Sequence, residues 1–431
     1  MKKVLCLILI LSLIVVQVFS IPGIAVEDDL EISSYSGVCA VKGVGSSVDE
    51  DDIEYVDAPL GSSDRVGGIN EYYYNNLLKN GYQKALYNGL LNALDSNNED
   101  VVKPQICFVF NFRNTNITQQ EQLDRFLEDL EINNVWNAFV YDQPQLFWIS
   151  TCEMLLTSDG RDCYVFVLVG AIDEYIDSPD KLLEDYRAFD SNVKAVVDGA
   201  PTESDYDKLL YFNNHLINNN EYNESVDPNQ DVFHLPHCAA SAVLSEYSPV
   251  CQGYASAFKL FCDLSGIECI EVYGFGKNSQ NASGQAHAWN YVNLNGAWYA
   301  VDVTWNDSPD INRQLRYFLI GSETIVEPLW TGLEKFGQTH ILSAINEDGN
   351  FYPRLSTVEY NALGDINYDG HINSADVIHL ARYLANWTEY RTLDEELSDV
   401  NRDGAVDPLD VMILARYVAG WEGYKTLPYV S

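Results

Sequence analysis

Apolar and polar positions divide this chain into blocks of different period. Val4 through Phe19 is an apolar run, interrupted by Cys6, Ser12 and Gln17 and preceded by Lys2-Lys3. A basic start, a short apolar stretch and small-residue exits at Ser20 or Ala25 predict a cleavable export leader over 1–25 rather than a membrane span. Residues 26–65 are acidic and lack periodicity, which predicts a mostly irregular segment. From Asn70, Tyr73, Leu77, Leu78 and Tyr82 share one stripe that continues toward Leu91 and Leu94, as in a helix. Ile106–Phe110 predicts a strand, and Gln120–Leu130 a helix with Leu123, Phe126 and Leu130 on one face. A helix at Val135–Val140, strands at Leu146–Ser150 and Cys163–Val169, and helices over 177–198 and 205–220 follow.

Residues 233–320 are the densest region. A helical run of small residues follows Cys251, and a strand is expected at Glu268–Tyr273. Strands at Ala286–Leu294 and Trp298–Thr304 flank Asn295-Gly296, a pair that tolerates positive φ and so marks a hairpin turn. His287 lies eight residues before Asn295 and Asp302 six after Gly296. Near cross-strand neighbours on one face are the expected result. A cysteine at a helix N-terminus has its thiolate stabilised by free amides and the helix dipole. Cys251 is therefore a candidate nucleophile, His287 its base and Asp302 the group that orients the imidazole. Amides near Cys251 would form the oxyanion site. Packing is the competing role for all three, as it is for Trp289, Trp305 and Tyr254.

One segment is written twice near the end. Asp365-Ile366-Asn367-Tyr368-Asp369-Gly370 returns as Asp399-Val400-Asn401-Arg402-Asp403-Gly404, 34 residues further on. Val377, Leu380, Ala381, Arg382, Tyr383, Ala385 and Trp387 match Val411, Leu414, Ala415, Arg416, Tyr417, Ala419 and Trp421. Oxygen ligands at loop positions 1, 3, 5, 9 and 12, a carbonyl at 7 and glycine at 6 follow calcium-loop logic. The first set is Asp365, Asn367, Asp369, the His371 carbonyl, Asn373 and Asp376. The second is Asp399, Asn401, Asp403, the Ala405 carbonyl, Asp407 and Asp410. Two calcium ions are expected.

Composition narrows the setting. A chain of 431 residues has room for two or three domains, and 47% hydrophobic residues allow a sizeable core. Its 64 acidic against 25 basic residues give a formal charge of -39. That sign excludes nucleic acid as a natural partner. No stretch beyond the leader is long and apolar enough to predict a membrane span. After Cys6 come Cys39, Cys107, Cys152, Cys163, Cys238, Cys251, Cys262 and Cys269, with no CxxC pair. Zinc knuckles are therefore not expected. Disulfides remain open, as does one reactive thiol among buried ones.

Val250-Cys251-Gln252-Gly253-Tyr254-Ala255, His287-Ala288-Trp289-Asn290 and Trp298 through Trp305 together resemble the signature blocks of the transglutaminase-like superfamily. The resemblance is to its bacterial cysteine protease-like members and extends over about 70–355. It implies Cys251, His287 and Asp302 as catalytic triad and a thioester intermediate on a protein or peptide substrate. Tyr206–Tyr222, Tyr317-Phe318-Leu319 and Ala138–Trp148 resemble flanking segments. Asn213, Asn214 and Gln143 depart from the family pattern. The duplicated segment resembles a type I-like dockerin over about 362–428. That implies a cohesin partner on a cellulosome scaffoldin, contacted through Ser374-Ala375, Pro408-Leu409 and helix residues such as Arg382 and Arg416.

The expected fold class is α+β: a papain/transglutaminase-like core, an α/β N-terminal region and an all-α dockerin. The expected division is leader 1–25, acidic segment 26–65, N-terminal α/β domain 66–200, transglutaminase-like domain 201–360 and dockerin 361–431. The expected function is a secreted, cellulosome-associated cysteine peptidase or amide-bond acyltransferase. A non-catalytic binding, structural or inhibitory component stays open beside it.

Overall fold

The computed structural model describes residues 71–94, 98–202, 204–226, 234–277, 284–310, 313–326, 334–343, 351–368, 371–425 and 427–429, with the backbone alone of 13–19, 34–35 and 53–57. A six-stranded sheet occupies the N-terminal part. Its strands are β1 (Leu13–Phe19), β2 (Ser34–Tyr35), β3 (Ile53–Asp57), β4 (Gln105–Phe112), β5 (Ile149–Ser158) and β6 (Cys163–Ala171), in the order β2-β1-β5-β6-β4-β3. The apolar run expected to be a leader is thus extended, with Ile14 to Phe19 antiparallel to Leu156 to Thr151. Its Ile and Val content favours that state. The segment 26–65, expected to be mostly irregular, contributes two short strands to this sheet. Ile53–Asp57 pairs in parallel with Cys107–Asn111, a long-range pairing that local pattern does not announce. Apart from Ser34–Tyr35, which pairs with Leu13 and Ile14, the rest of that segment lies outside the described residues.

The single helix expected from Asn70 is two, Tyr72–Leu77 and Gly81–Ala93. Asn80 breaks it: its side chain accepts from the Tyr82 and Gln83 amides, and Gln83 reaches back to the Asn80 amide. This capping box starts a new helix where the apolar stripe would have continued the old one. The helix Gln120–Leu130 has the expected bounds, and Ile132–Asp142, Pro179–Asp198 and Asp205–Asn219 extend or trim theirs slightly.

The central part holds the helix Cys251–Leu264, whose residues 251 to 262 are all buried. Such all-round burial places it in the core rather than on a surface. Against it lies an antiparallel sheet of β7 (Cys269–Gly276), β8 (Gln285–Leu294) and β9 (Ala297–Val301). The turn joining β8 to β9 has φ of 55° at Asn295 and 87° at Gly296, as the sequence pattern predicts. β10 (Ile325–Val326) and β11 (Glu334–Lys335) form a separate ribbon, and β12 (His340–Leu342) edges the main sheet in the order β12-β7-β8-β9. β9 stops at Val301, three residues short of expectation. Tyr317-Phe318-Leu319 is a turn rather than a strand, and only Ile320 bridges to Ala300.

Buried side chains from Tyr73 to Leu355 form one hydrophobic cluster, so the expected N-terminal and transglutaminase-like regions share a core. Their joint is also polar. The Tyr73 hydroxyl donates to the Glu271 carbonyl at 2.7 Å, and Asp142 accepts from the Tyr73 and Tyr74 amides at 3.0 and 2.8 Å. The C-terminal region is all-α in its main elements, helices Ser374–Leu384 and Pro408–Val418. It has its own core of Ile366, Leu380, Val400, Ile413 and Leu414. Thr357 Oγ1 lies 3.0 Å from His371 Nδ1, so the chain passes into this unit with no free linker. Among the described residues no helix is long and apolar enough to cross a membrane.

Candidate active site

Cys251 is the first residue of its helix. Val250 precedes it in an extended conformation and supplies no side-chain cap. The first-turn amides of a helix have no intrahelical acceptor, so they and the dipole favour negative charge there. The segment 234–241 closes over this turn. A Cβ at Gly253 would lie 2.6 Å from both the Pro236 carbonyl and Ser241 Oγ, so only glycine admits that approach.

His287 projects from β8 between two indoles. Its ring stacks on Trp289 at 5.8 Å and 29°, and on Trp305 at 5.3 Å and 30°. Its Nε2 lies 2.7 Å from Asp302 Oδ2, and Cys251 is among the groups that act on its titration. Of the three expected catalytic side chains, His287 and Asp302 are paired directly, and Cys251 lies within electrostatic reach of His287. Asp302 differs from expectation in its element. It lies just past β9 as the N-cap of the turn Val303–Asn306, where Oδ1 accepts the Trp305 amide at 3.0 Å. Capping uses one carboxylate oxygen and leaves Oδ2 for imidazole.

Burial disfavours an imidazolium at His287, yet the Asp302 carboxylate and Cys251 outweigh it and push its pKa up to about 10. Burial would raise the Asp302 pKa, but His287 and His340 hold it well below the usual carboxylate range. Tyr222 is shifted up, first by burial and then by the charges of Cys251, Glu224 and Asp302, which places it in the field of the same site. Cys251 is 7% and His287 8% exposed, so the approach to the thiol is narrow.

One member of this cluster was not visible in the sequence. His340 Nε2 lies 2.9 Å from the same Asp302 Oδ2, and His340 is 4% exposed. It enters from the edge strand β12, far along the chain from the three motif blocks, and no spacing signals it. His287, Asp302 and His340 bring donor atoms within 4.8 Å of one another, a set of metal-capable types. The direct separations are hydrogen-bond lengths, so here the groups satisfy each other.

The other singled-out residues fall into packing roles. Tyr254 is fully buried, and its hydroxyl donates to Asp307 Oδ2 at 2.5 Å. Gln143 donates to the Tyr87 hydroxyl, and Asn213 accepts from Asn306 at 2.9 Å. All seven described cysteines are free and buried. Cys39 lies outside the described residues.

In the C-terminal repeats, Asn373 and Asp407 cap the two helices, and Asp376 and Asp410 close the capping boxes. Asp376 Oδ1 accepts from the Ile366 and Asn367 amides. Asp399 accepts from the Asp403 and Gly404 amides. Gly404 has φ of 89°, the sharp turn a calcium loop needs at position 6. Asp410 Oδ1 is buried, and the Val400 and Asn401 amides lie near without completing a hydrogen bond. Burial and the neighbouring Asp399 raise its pKa. A buried carboxylate oxygen left without a donor beside a second carboxylate fits a hard cation. Asp369 lies outside the described residues. Arg382 and Arg416 are each packed within their own repeat and remain half-exposed. Each guanidinium hydrogen-bonds the hydroxyl of Tyr390 or Tyr424, and lies over Trp387 or Trp421.

Comparison with known proteins matches residues 193–303 to the transglutaminase-like superfamily and 363–419 to the dockerin type I domain. The chain carries a transglutaminase-like domain fused to a type I dockerin domain. The first match contains Cys251, His287 and Asp302, and the second both repeat loops. Kyphoscoliosis peptidase from Homo sapiens is 43% identical over 61 residues, and that from Mus musculus 41%. Each alignment covers 13% of this chain and 9% of the relative, so the chain spans less than a tenth of those proteins. A solved TGase structure aligns at 15% identity, over 47% of this chain and 52% of that one, with a TM-score of 0.25.

Proposed function

We propose that this protein is an exported amide-bond enzyme, a cysteine peptidase by preference, anchored to a cellulosome scaffoldin by its dockerin. The observation that carries the reading is His287, bonded to Asp302 Oδ2 and with its pKa raised in part by Cys251. In this reading residues 201–360 form the catalytic unit. Cys251 attacks a peptide or carboxamide carbonyl while His287 holds and then returns the proton to the leaving amine. The uncapped first turn around Cys251 stabilises the oxyanion, and Trp289 and Trp305 keep water from the imidazole. Water then resolves the thioester. Hydrolysis is preferred over transfer because water is always at hand, and the matched relatives are named peptidases. A protein or peptide is the substrate class.

The dockerin would hold two calcium ions through Asp365, Asn367, Asp369, the His371 carbonyl, Asn373 and Asp376, and through Asp399, Asn401, Asp403, the Ala405 carbonyl, Asp407 and Asp410. Calcium supplies the charge that joins each loop to its following helix. The helix starts then present Ser374, Ala375, Pro408 and Leu409 to a cohesin. Leu409 is 43% exposed, which supports that role.

The 7% exposure of Cys251 favours a second reading, a transglutaminase-like binding component without turnover. Labelling with a thiol-directed electrophile separates the two. The enzyme reading expects Cys251 to label rapidly in the wild type, slowly in His287→Ala and not at all in Cys251→Ala. Equal labelling of wild type and His287→Ala removes the activated nucleophile.

A further inference from the structure

Asp302 receives two histidines on one oxygen. His287 Nε2 lies at 2.7 Å and His340 Nε2 at 2.9 Å from Oδ2, while Oδ1 is held by the Trp305 amide. An ionised carboxylate only accepts, so both Nε2 atoms carry hydrogen. His340 Nδ1 lies 2.9 Å from Thr339 Oγ1, a hydroxyl that is also 2.9 Å from the Phe336 carbonyl. With His340 neutral and Nε2 protonated, Nδ1 is the acceptor nitrogen, open to the single Thr339 hydroxyl hydrogen that otherwise goes to the Phe336 carbonyl. The ring has little freedom to do otherwise. It stacks on Phe336 at 4.1 Å and meets Trp305, Trp289 and Tyr317 at 4.5, 5.0 and 5.8 Å. The titratable groups facing it are Asp302, His287 and Tyr317.

We propose that His340 is a positioning residue of the active centre: it clamps the Asp302 carboxylate so that Oδ2 meets His287 Nε2 and leaves the other His287 nitrogen to Cys251. The proposal rests on the reading of Cys251 and His287 as nucleophile and base. Without His340, Asp302 is fixed by the Trp305 amide alone on one side, and the carboxylate can rotate away from imidazole. The neutral state of His340 matters to this role. A second cation on Oδ2 would compete with the imidazolium of His287. Burial, against the pull of Asp302, depresses the His340 pKa to about 4, which keeps it neutral through the working range.

The test uses full-length protein with calcium and follows iodoacetamide alkylation of Cys251 by mass spectrometry from pH 5 to 9. His340→Phe keeps the stacking and removes the donor. His340→Gln places an amide N–H near the Nε2 position. A hydrogen bond to a charged group sets the scale, so His340→Phe is expected to slow alkylation at pH 7 roughly tenfold or more. Its rate should then rise toward that of an ordinary thiol only at higher pH. His340→Gln should restore the wild-type profile within a few-fold. A folded His340→Phe protein with the wild-type profile overturns the proposal.

Should His340→Phe not fold, 15N-histidine spectra of the wild type decide instead. His340 must be the Nε2–H tautomer at pH 7, and the Nδ1–H tautomer overturns the clamp. His287→Ala is the separate control. If it alkylates at the wild-type rate, the nucleophile–base reading falls. If it is slow while His340→Phe is not, only the clamp falls.

Discussion

Lys259→Met tests the joint between the N-terminal region and the nucleophile helix. Lys259 lies eight residues after Cys251 on that helix and is fully buried. Its Nζ is 2.6 Å from Asp263 Oδ2 and 3.4 Å from the Asp142 carbonyl. Burial pushes the carboxyl pKa values up, from 3.8 to about 7 at Asp142, from 3.8 to about 6 at Asp263 and from 4.5 to about 7 at Glu271, and Lys259 lowers each. A folded-state pKa above the ordinary value means stability that is full below about pH 4 and lost as pH rises through 6 to 7. Removing the one cation common to all three raises these values further, so the loss deepens on the alkaline side. Methionine keeps the volume. Breaking a buried pair costs about 3–5 kcal/mol where the partner is ionised. At pH 5, with Asp263 largely protonated, the loss is nearer one hydrogen bond, about 1 kcal/mol. Urea unfolding of the full chain in calcium at pH 5 and pH 8 measures both. A destabilisation equal at the two pH values, or larger at pH 5, refutes the assignment.

Three further outcomes are expected. Gly276→Ala would bring a Cβ to 3.1 Å from both His287 Cδ2 and Trp305 Cζ2, displacing the imidazole by a few tenths of an ångström; Cys251 alkylation should slow on the order of tenfold while calcium binding is unchanged, since sub-ångström misplacement is costly at a reacting centre. Calcium chelation should lower the unfolding midpoint of the dockerin and abolish cohesin capture, and a ligand at a hundred times its Kd stabilises by about 2.7 kcal/mol, so an unmoved midpoint removes the calcium assignment. Leu409→Asp should weaken cohesin binding in a titration without changing calcium affinity, and unchanged cohesin affinity places the contact elsewhere.

Much of the site was legible because its chemistry is local in sequence. Cys251 opens a helix, His287 lies on a strand, and Asn295-Gly296 sets the turn that returns the chain to Asp302. The repeats were legible because the calcium-loop pattern sets oxygen-bearing residues at fixed positions within one short stretch. What escaped detection was non-local. His340 reaches Asp302 from an edge strand paired with β7 at Gly276, and neither neighbour in sequence hints at that contact. Ile53–Asp57 becomes a strand only because Cys107–Asn111 offers it an edge. The break at Asn80 is a contest that periodicity cannot judge, because a cap and an apolar stripe compete for the same residues. Arg382 and Arg416 looked available as charges, yet each has an aromatic pair within its own repeat to lie on.

The joint and the site meet in one rigid element. From Cys251 to Lys259 is eight residues of helix, about 12 Å at 1.5 Å per residue. One end carries Cys251, and Lys259 toward the other is tied to the Asp142 carbonyl of the N-terminal region. Asp142 is in turn held by the Tyr73 and Tyr74 amides, so the helix Tyr72–Leu77 bears on the position of the nucleophile helix. An N-terminal region that served only to bind a partner would have no need to bury Asp142 beside the lysine of that helix. Its continuous core with the central sheet argues the same way. Residues 71–143 therefore act as part of the scaffold that seats Cys251, and a Tyr73→Phe substitution, which deletes the hydroxyl bonded to the Glu271 carbonyl, should perturb thiol alkylation without touching any side chain of the triad.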